Sequence, residues 1–246
     1  MGYYYKHPDL LLPEDASVIW RYMDLSKFQS MLQKNSIFFS RVDKQTDKLE
    51  AEYPEGMLAE LKRRFRDGIP SNDGTHYTFI EWHTQKEIPS RLISCWSVSP
   101  SESQRKWNEY THSKESVAIR STIEMLKNCF HDKEGPVVWI GRVRYGEEEN
   151  KLPSSSFRWN VNFWLYPFFA KKDCFRWENE TRAIVNISVG DSKNGCYVKA
   201  DLQKLIDSVW IHPQSPPGFR DQVGTELVSY GFGKVSIHQS PWDSLP

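Results

Sequence analysis

Apolar and polar positions along the chain repeat with two different periods. Leu25, Phe28, Met31 and Leu32 recur at a spacing of three or four, which predicts an amphipathic helix. Other apolar runs are short and rich in β-branched and aromatic residues, which predicts strands at 18–23, 36–42, 91–98, 116–120, 136–145, 209–213 and 235–238. Further helices are expected at 56–66, 103–110, 121–128 and 219–230. Because the strands outnumber the substantial helices and do not alternate regularly with them, the pattern favours an α+β fold.

The predicted elements indicate one domain. We expect a mixed, mainly antiparallel central sheet with peripheral helices over residues 18–246, preceded by an N-terminal arm over residues 1–17. A stretch near residues 43–75 carries many charges and ends in a loop rich in Gly, Pro, Ser and Asn. This stretch is predicted to be a surface insertion and a candidate lid.

The composition gives no sign of a charged binding surface, a disulfide framework or a membrane segment. The chain has 32 basic and 32 acidic residues, so its net charge does not argue for a nucleic-acid or membrane surface. Four cysteines without a CxxC spacing indicate ordinary buried thiols in a reducing compartment. No apolar run is long enough for a membrane span, and the first residues do not resemble a secretion signal, so we expect a cytoplasmic protein that does not bind membranes.

The segment 175–185 holds the strongest candidate chemistry. It is predicted to be a strand on which Glu178, Glu180 and Arg182 share one face. Two neighbouring acids repel each other and tend to split their pKa values, which suits acid/base or cation-binding chemistry. An equally plain interpretation is a charged ladder in which Arg182 pairs with Glu180.

Several short motifs follow one another in an order that resembles the bacterial family called domain of unknown function 2971 (DUF2971), over roughly residues 18–240. The family name implies no activity. The matching pieces are Arg21-Tyr22, Phe38-Phe39-Ser40, Ser94-Cys95-Trp96-Ser97, the pair Trp107 and Tyr110, and the Trp-x-x-Glu-x-Arg element at Trp177, Glu180 and Arg182.

The same order is also similar to that of the arginine-serine-glutamate ADP-ribosyltransferases. This second resemblance implies that Arg21 holds the phosphates or ribose of NAD and that Ser94 and Ser97 shape the nicotinamide pocket. It further implies that Glu180 stabilises an oxocarbenium-like transition state, with Glu178 orienting the acceptor or tuning Glu180. Aromatic residues, for which Tyr22 and Tyr110 are the candidates, would stack on the rings of the cofactor.

Three hypotheses follow from these patterns. The first is an NAD-dependent ADP-ribosyltransferase-like enzyme, a toxin or phage-defence effector that needs no metal and modifies a protein or nucleic-acid acceptor. The second is a metal-dependent nuclease that uses Asp173, Glu178 and Glu180 as ligands. The third is a non-catalytic binding module in which the carboxylates only pair with Arg182. Whether Arg21 and Glu180 face one cleft discriminates among them.

Overall fold

The structure is a computed structural model, and it describes residues 2–8, 10–45, 51, 53, 55–70, 74–149, 165–186 and 193–241. The predicted surface insertion near 43–75 therefore lies partly outside the described residues, and the segment 150–164 lies entirely outside them. None of the helices in the described ranges is long and apolar enough to cross a membrane.

The strands follow one another along the chain as β1 Tyr3–Tyr4, β2 Val18–Asp24, β3 Ser36–Arg41, β4 Ile69–Pro70, β5 His76–Tyr77, β6 Arg91–Val98, β7 Ser116–Thr122, β8 Val137–Arg142, β9 Arg144–Tyr145, β10 Ala170–Lys171, β11 Glu180–Asn186, β12 Gly195–Lys199, β13 Ser208–Ile211 and β14 Ser236–Gln239. The α-helices are Leu25–Lys34, Glu55–Arg64, Phe79–Trp82, Ile88–Ser90, Gln104–Tyr110, Ile123–Asn128, Gly146–Glu149, Leu202–Leu205 and Phe219–Ser229. A π-helical turn, His83–Glu87, joins two of them, and 3₁₀ turns lie at Val42–Lys44, Tyr166–Phe169 and Asp173–Glu178.

Ten of the described strands form one sheet. Its main path runs in the order β1-β8-β11-β6-β2-β7-β13-β14, and β3 and β12 attach beside it. The pairs β1 with β8 and β13 with β14 are parallel, whereas the other ladders of this sheet are antiparallel. The predicted α+β fold with a mixed, mainly antiparallel sheet and peripheral helices is confirmed.

The sheet forks at β6. At one end of β6, Trp20 of β2 pairs with Ser97, and at the other end Ser40 of β3 pairs with Ile93. Between these two ladders, the described residues of β2 and β3 form no ladder with residues 94–96. The two strands thus diverge from each other along the same edge of β6, and a gap opens between them.

The core lies beneath the helices that cover the sheet. Leu25, Phe28, Met31 and Leu32 are all buried on the first helix, so the amphipathic helix predicted from their spacing is confirmed. Asn35 ends this helix in the left-handed conformation with φ 45°, which Asn adopts more readily than most residues. The chain then turns directly into β3, one of the two arms of the fork.

The predicted strand over 175–185 is wrong in its first part. Residues Asp173–Glu178 form a 3₁₀ turn, and β11 begins only at Glu180. Asn179 between them has φ 43°, and its side chain donates a hydrogen bond to the carbonyl oxygen of Val98 at 2.8 Å. This left-handed residue breaks the strand alternation, so Glu178 does not share a strand face with Glu180 and Arg182.

Two other stretches also differ from the simple pattern. The N-terminal arm is partly sheet, since β1 pairs in parallel with β8. The predicted strand 136–145 is interrupted at Val143, whose backbone N–H donates to the carbonyl oxygen of Glu180 at 2.9 Å. After this break β9 leaves the main sheet and pairs with β10 instead, which brings residues 170–171 next to β11.

Gly141 of β8 provides a test of this packing. A Cβ atom there would lie 2.8 Å from Cε1 of the buried Phe169 ring, so we expect Gly141→Ala to destabilise the fold by about 1 to 3 kcal/mol through overpacking. Gly224→Ala is the matched control, because its Cβ would meet Ile237 at an ordinary 3.5 Å and Ala improves helix propensity by up to about 1 kcal/mol. Urea unfolding of both variants measures the difference, and equal stability of the two would contradict the assigned packing.

Candidate functional site

A cavity of about 630 Å³ lies at the fork of the sheet. This volume is within the range of small-molecule sites, roughly 300 to 1,000 Å³. Strands β2, β3, β6 and β11 supply one part of its wall, and the helix Gln104–Tyr110 and the segment 171–178 supply the rest. The lining residues are Trp20, Arg21, Tyr22, Ser40, Gln45, Ile93, Cys95, Trp96, Ser97, Glu109, Tyr110, Lys171, Phe175, Trp177, Glu178 and Glu180. Arg21 and Glu180, the candidate site residues from distant parts of the sequence, therefore line the same cavity.

Arg21 spans the two arms of the fork. Its Nη2 donates a hydrogen bond to the carbonyl oxygen of Phe38 on β3 at 2.8 Å, and its guanidinium carbon lies 5.7 Å from the centre of the Trp96 ring. Burial lowers the pKa of Arg21 to about 10, so the side chain stays charged at neutral pH. Its Nη1 is buried and has no hydrogen-bond partner among the described residues. A buried cationic N–H group of this kind is suited to an anionic ligand.

Two cationic side chains contact the carboxylate of Glu180. It pairs with Ser97 across the β11–β6 ladder, and its two oxygens each accept a hydrogen bond from Arg182 at 3.1 Å. Lys171 Nζ lies 3.1 Å from Oε2 of the same carboxylate. Burial by itself would raise the pKa of Glu180, but Arg182 and Lys171 hold it at about 2, with a hydrogen bond from Cys95 adding to their effect. Glu180 is consequently ionised at neutral pH although it is only 5% exposed.

Glu178 reaches the same place from the end of the 3₁₀ turn. Its Oε2 accepts a hydrogen bond from Lys171 Nζ at 2.6 Å. Burial raises the pKa of Glu178, Lys171 lowers it, and the charge of Glu180 raises it again, leaving it above the usual value. The two acids therefore have pKa values displaced in opposite directions, as two close carboxylates in different environments do.

A second lysine supports the backbone under these acids. Lys106 on the helix Gln104–Tyr110 donates hydrogen bonds to Oγ of Ser97 and to the carbonyl oxygen of Glu178. Ser97 Oγ in turn donates to the same carbonyl oxygen at 3.1 Å. Burial lowers the pKa of Lys106 to about 8. Ser97 thus lines the cavity and also ties β6 to the turn that carries Glu178.

Aromatic rings form one side of the cavity entrance. The ring of Tyr110 stacks on that of Trp177, with centroids 6.5 Å apart and planes inclined by 30°, and the Arg105 guanidinium lies 3.7 Å from the Trp177 centroid. Tyr110 is 39% exposed. Tyr22, by contrast, is buried, and its hydroxyl accepts a hydrogen bond from the backbone N–H of Ser103 at 2.9 Å. Tyr110 therefore offers a ring face near solvent, whereas Tyr22 is anchored in the wall.

Ser94 does not line the cavity. It is buried, and its hydroxyl accepts a hydrogen bond from the indole N–H of Trp96 at 3.2 Å. Cys95 and Ser97 pair with Arg182 and Glu180 across the ladder, so strand alternation places them on the face of those charges. Sequence reasoning named Ser94 and missed Cys95 because the start of the alternation depends on the register of the sheet.

The three residues proposed as metal ligands do not form one group, because only Glu178 and Glu180 line the cavity. Asp173 does not line the cavity, and its Oδ1 accepts a hydrogen bond from Arg176 Nε at 2.8 Å. Within the described ranges, no group of three or more His, Cys, Asp or Glu side chains is arranged to hold a metal ion. The position between Glu178 and Glu180 is taken by the ammonium group of Lys171. Sequence reasoning missed Lys171, which lies in an unremarkable Ala-Lys-Lys run.

The buried pair of Glu180 and Arg182 predicts a large effect on stability. Arg182→Met removes one of the two cations that contact the buried carboxylates of Glu178 and Glu180, and we expect it to lower the free energy of unfolding by about 3 to 5 kcal/mol. Arg120→Met is the matched control, because its ion pair with Asp207 is about one third exposed and such pairs contribute about 0 to 1 kcal/mol. Denaturant unfolding at pH 7 measures both, and a similar loss in the two variants would contradict the role of Arg182.

Comparison with known proteins gives weak likenesses. No family model matches the chain, and no curated protein matches it, so the resemblance to DUF2971 stays a prediction. Among solved structures, the chain is similar to DarT of Thermus sp. 2.9 in complex with ADP-ribosylated ssDNA, with 12% identity, a TM-score of 0.37, and 94% of this chain and 96% of that chain covered. It is also similar to DarT of Thermus sp. 2.9 in complex with NAD+, with 10% identity, a TM-score of 0.36, and 92% and 96% coverage.

Proposed function

We propose that this protein is an NAD-dependent ADP-ribosyltransferase-like enzyme whose active site is the cavity at the fork of the sheet. The observation that carries the proposal is that Arg21 and Glu180 line the same cavity. Arg21 presents a buried cationic donor and Glu180 a buried anion. NAD would use both, because its central pyrophosphate is anionic and the nicotinamide-ribose attached to it carries a positive charge.

Arg21 would bind the phosphate part of the ligand. Its Nη2 is fixed on Phe38, whereas its Nη1 has no partner in the described part of the chain. A phosphate oxygen would supply the missing acceptor for Nη1. Its negative charge would also stabilise the buried guanidinium, whose pKa is lowered by burial. A cation–π contact with the Trp96 ring would help to hold the guanidinium in this position.

Glu180 would stabilise the transition state. When the bond between nicotinamide and ribose breaks, its electron pair leaves with the nicotinamide, which becomes neutral, and positive charge develops on the ribose. A carboxylate with its pKa near 2 remains ionised at neutral pH and can accept a hydrogen bond from a ribose hydroxyl while offsetting that charge. Arg182 and Lys171 hold this carboxylate in place before the substrate arrives.

Glu178 would act on the acceptor. The new bond forms between the ribose C1′ and a nucleophilic atom of the acceptor, which gives up its proton. Glu178 has a pKa above the usual value, and a raised pKa makes a carboxylate a better proton acceptor near neutral pH. Tyr110 and Trp177 at the entrance would contact a ring of the cofactor or of the acceptor.

The two alternative functions are less well supported. A metal-dependent nuclease needs a cation between the carboxylates, but Lys171 supplies a positive charge at that position. A binding module in which Glu180 only pairs with Arg182 would have no cavity beside the pair, whereas Glu180 lines a large one. The toxin or phage-defence role remains a prediction from the sequence.

The first test measures NAD turnover. Wild-type protein should release nicotinamide from NAD, and in the presence of an acceptor it should transfer the label from NAD carrying a radioactive adenylate phosphate. Glu180→Gln should lower kcat by about 10² to 10³ fold while binding NAD nearly as well, because the interaction lost is one made to the transition state. The acceptor arms are a protein extract and single-stranded DNA.

The control for this test is Glu134→Gln, which changes an exposed glutamate in the turn before β8. It should leave kcat unchanged. Glu180→Asp is a second variant, which keeps the charge beside Arg182 in case Glu180→Gln does not fold. Circular dichroism spectra of each variant show whether it is folded. Absence of nicotinamide release and of transfer by folded wild-type protein in every acceptor arm would reject the proposal, and magnesium-dependent cleavage of DNA lost in Glu180→Gln would favour the nuclease.

The second test concerns the phosphate site. Arg21→Lys removes the planar donor pair, and we expect the Kd for NAD to rise by about 10 to 100 fold, as loss of a charge-assisted hydrogen bond predicts. Isothermal titration calorimetry measures the Kd directly. Arg120→Lys is the matched control on the neighbouring strand β7 and should leave the Kd unchanged. Equal NAD affinity of the Arg21 variant and wild type would show that this residue does not contact the phosphates.

A further inference from the structure

Lys171 lies between the two carboxylates of the candidate active site. Its Nζ is 2.6 Å from Oε2 of Glu178 and 3.1 Å from Oε2 of Glu180. The side chains of all three residues are at most 10% exposed. Because both contacts involve the same ammonium group, Lys171 fixes the distance between the two carboxylates as well as their charge.

The fold brings Lys171 to this position by a separate route. It belongs to β10, which pairs in parallel with β9 outside the main sheet, opposite Tyr145. The hydroxyl of Tyr145 accepts a hydrogen bond from the backbone N–H of Glu180 at 2.8 Å, so this small ladder is attached directly to β11. On the other side, Lys171 Nζ lies 5.3 Å from the centre of the Phe175 ring. These contacts hold the lysine in register with the strand that carries Glu180.

Lys171 is one of two cations whose side chains contact the carboxylate groups of Glu178 and Glu180. Glu178 and Glu180 face the cations of Lys171 and Arg182, which gives two negative and two positive charges. The other titratable groups that act on the two acids are Tyr110, Tyr145, Cys95 and Lys106. Of these, Lys106 contacts the backbone oxygen of Glu178 and leaves the carboxylate to Lys171.

We propose that Lys171 is a positioning residue that keeps Glu178 and Glu180 side by side with both carboxylates ionised. Without it, one of two adjacent buried acids has to take up a proton. Glu180 retains the two hydrogen bonds from Arg182, so the proton goes to Glu178. Glu178 then rotates away from its former position or donates a hydrogen bond to Glu180, and in either case the pair no longer has the geometry of the native site.

This inference deepens the proposed function and rests on it, but its first test does not require NAD turnover. Protein labelled with ¹³C at the glutamate side-chain carboxyl carbon is titrated by NMR, with Glu178→Gln and Glu180→Gln used to assign the two signals. In Lys171→Met the titration midpoint of Glu178 should rise by about 1 to 3 pH units, the usual effect of removing an adjacent opposite charge. Lys171→Arg should restore a midpoint near that of wild type.

Lys172→Met is the matched control, because the neighbouring lysine is exposed and does not line the cavity. Its Glu178 signal should titrate as in wild type. Lys171→Gln, which keeps hydrogen-bonding capacity without the charge, replaces Lys171→Met if the latter does not fold. A Glu178 midpoint that stays at the wild-type value in a folded Lys171→Met or Lys171→Gln protein would overturn the inference.

A second readout connects the pair to the reaction. The acid side of the pH profile of kcat should move to higher pH in Lys171→Met by the same interval as the Glu178 midpoint, while KM for NAD stays within about threefold of wild type. An unshifted profile in an active variant would overturn the role of Lys171 in the reaction. If the wild-type protein does not turn over NAD but the Glu178 midpoint still rises in Lys171→Met, the proposed function is rejected. The role of Lys171 in the carboxylate pair is then supported.

Discussion

The buried guanidinium of Arg182 is the constraint from which the site is built. It lies in the middle of a central strand with no exposure to solvent, and a charge in that position needs partners in fixed places. Glu180 supplies two acceptor oxygens, and the carbonyl oxygen of Phe168 supplies another at 2.8 Å. The second contact ties β11 to the aromatic turn Tyr166–Phe169, from which the chain runs directly into Lys171. One buried charge therefore orders both the strand and the segment that brings the next cation.

The fork of the sheet gives this charged cluster an opening. If β2 continued to pair along the whole of β6, the space beside residues 94–96 would be filled by backbone, and Glu180 would lie in a closed core. Instead β3 takes over the far end of β6, and Arg21 bridges the gap by its hydrogen bond to Phe38. Arg21, which bridges the two strands through Nη2, also has its Nη1 donor without a partner among the described residues. The side chain that bridges the two strands is therefore the same one that the proposed function assigns to the phosphates.

The two carboxylates differ because they come from different kinds of backbone. Glu180 is on a strand, directly beside Arg182 on the same face, and its charge is stabilised by that neighbour. Glu178 ends a 3₁₀ turn, and its carboxylate accepts a hydrogen bond from Lys171. The left-handed residue Asn179 between them allows both acids to reach one cavity from different directions. This arrangement produces two acids of unequal pKa from a simple Glu-x-Glu sequence.

The sequence alone determined the parts of the protein that depend on local periodicity. The apolar spacing from Leu25 to Leu32 was sufficient to predict the helix, and the short apolar run of β6 was sufficient to predict the strand. Together with the other runs they indicated the α+β class, because such patterns are local. The alternation of charges singled out both glutamates, and the family resemblance added Arg21, Ser97 and Tyr110 as candidates. Tertiary structure decided which of them meet. Register on β6 turned Ser94 away from the cavity and Cys95 toward it, and Asn179 moved Glu178 off the strand. The pairing of β9 with β10 placed Lys171 between the acids. Register and long-range pairing depend on contacts between residues far apart in the chain, and local patterns do not encode such contacts.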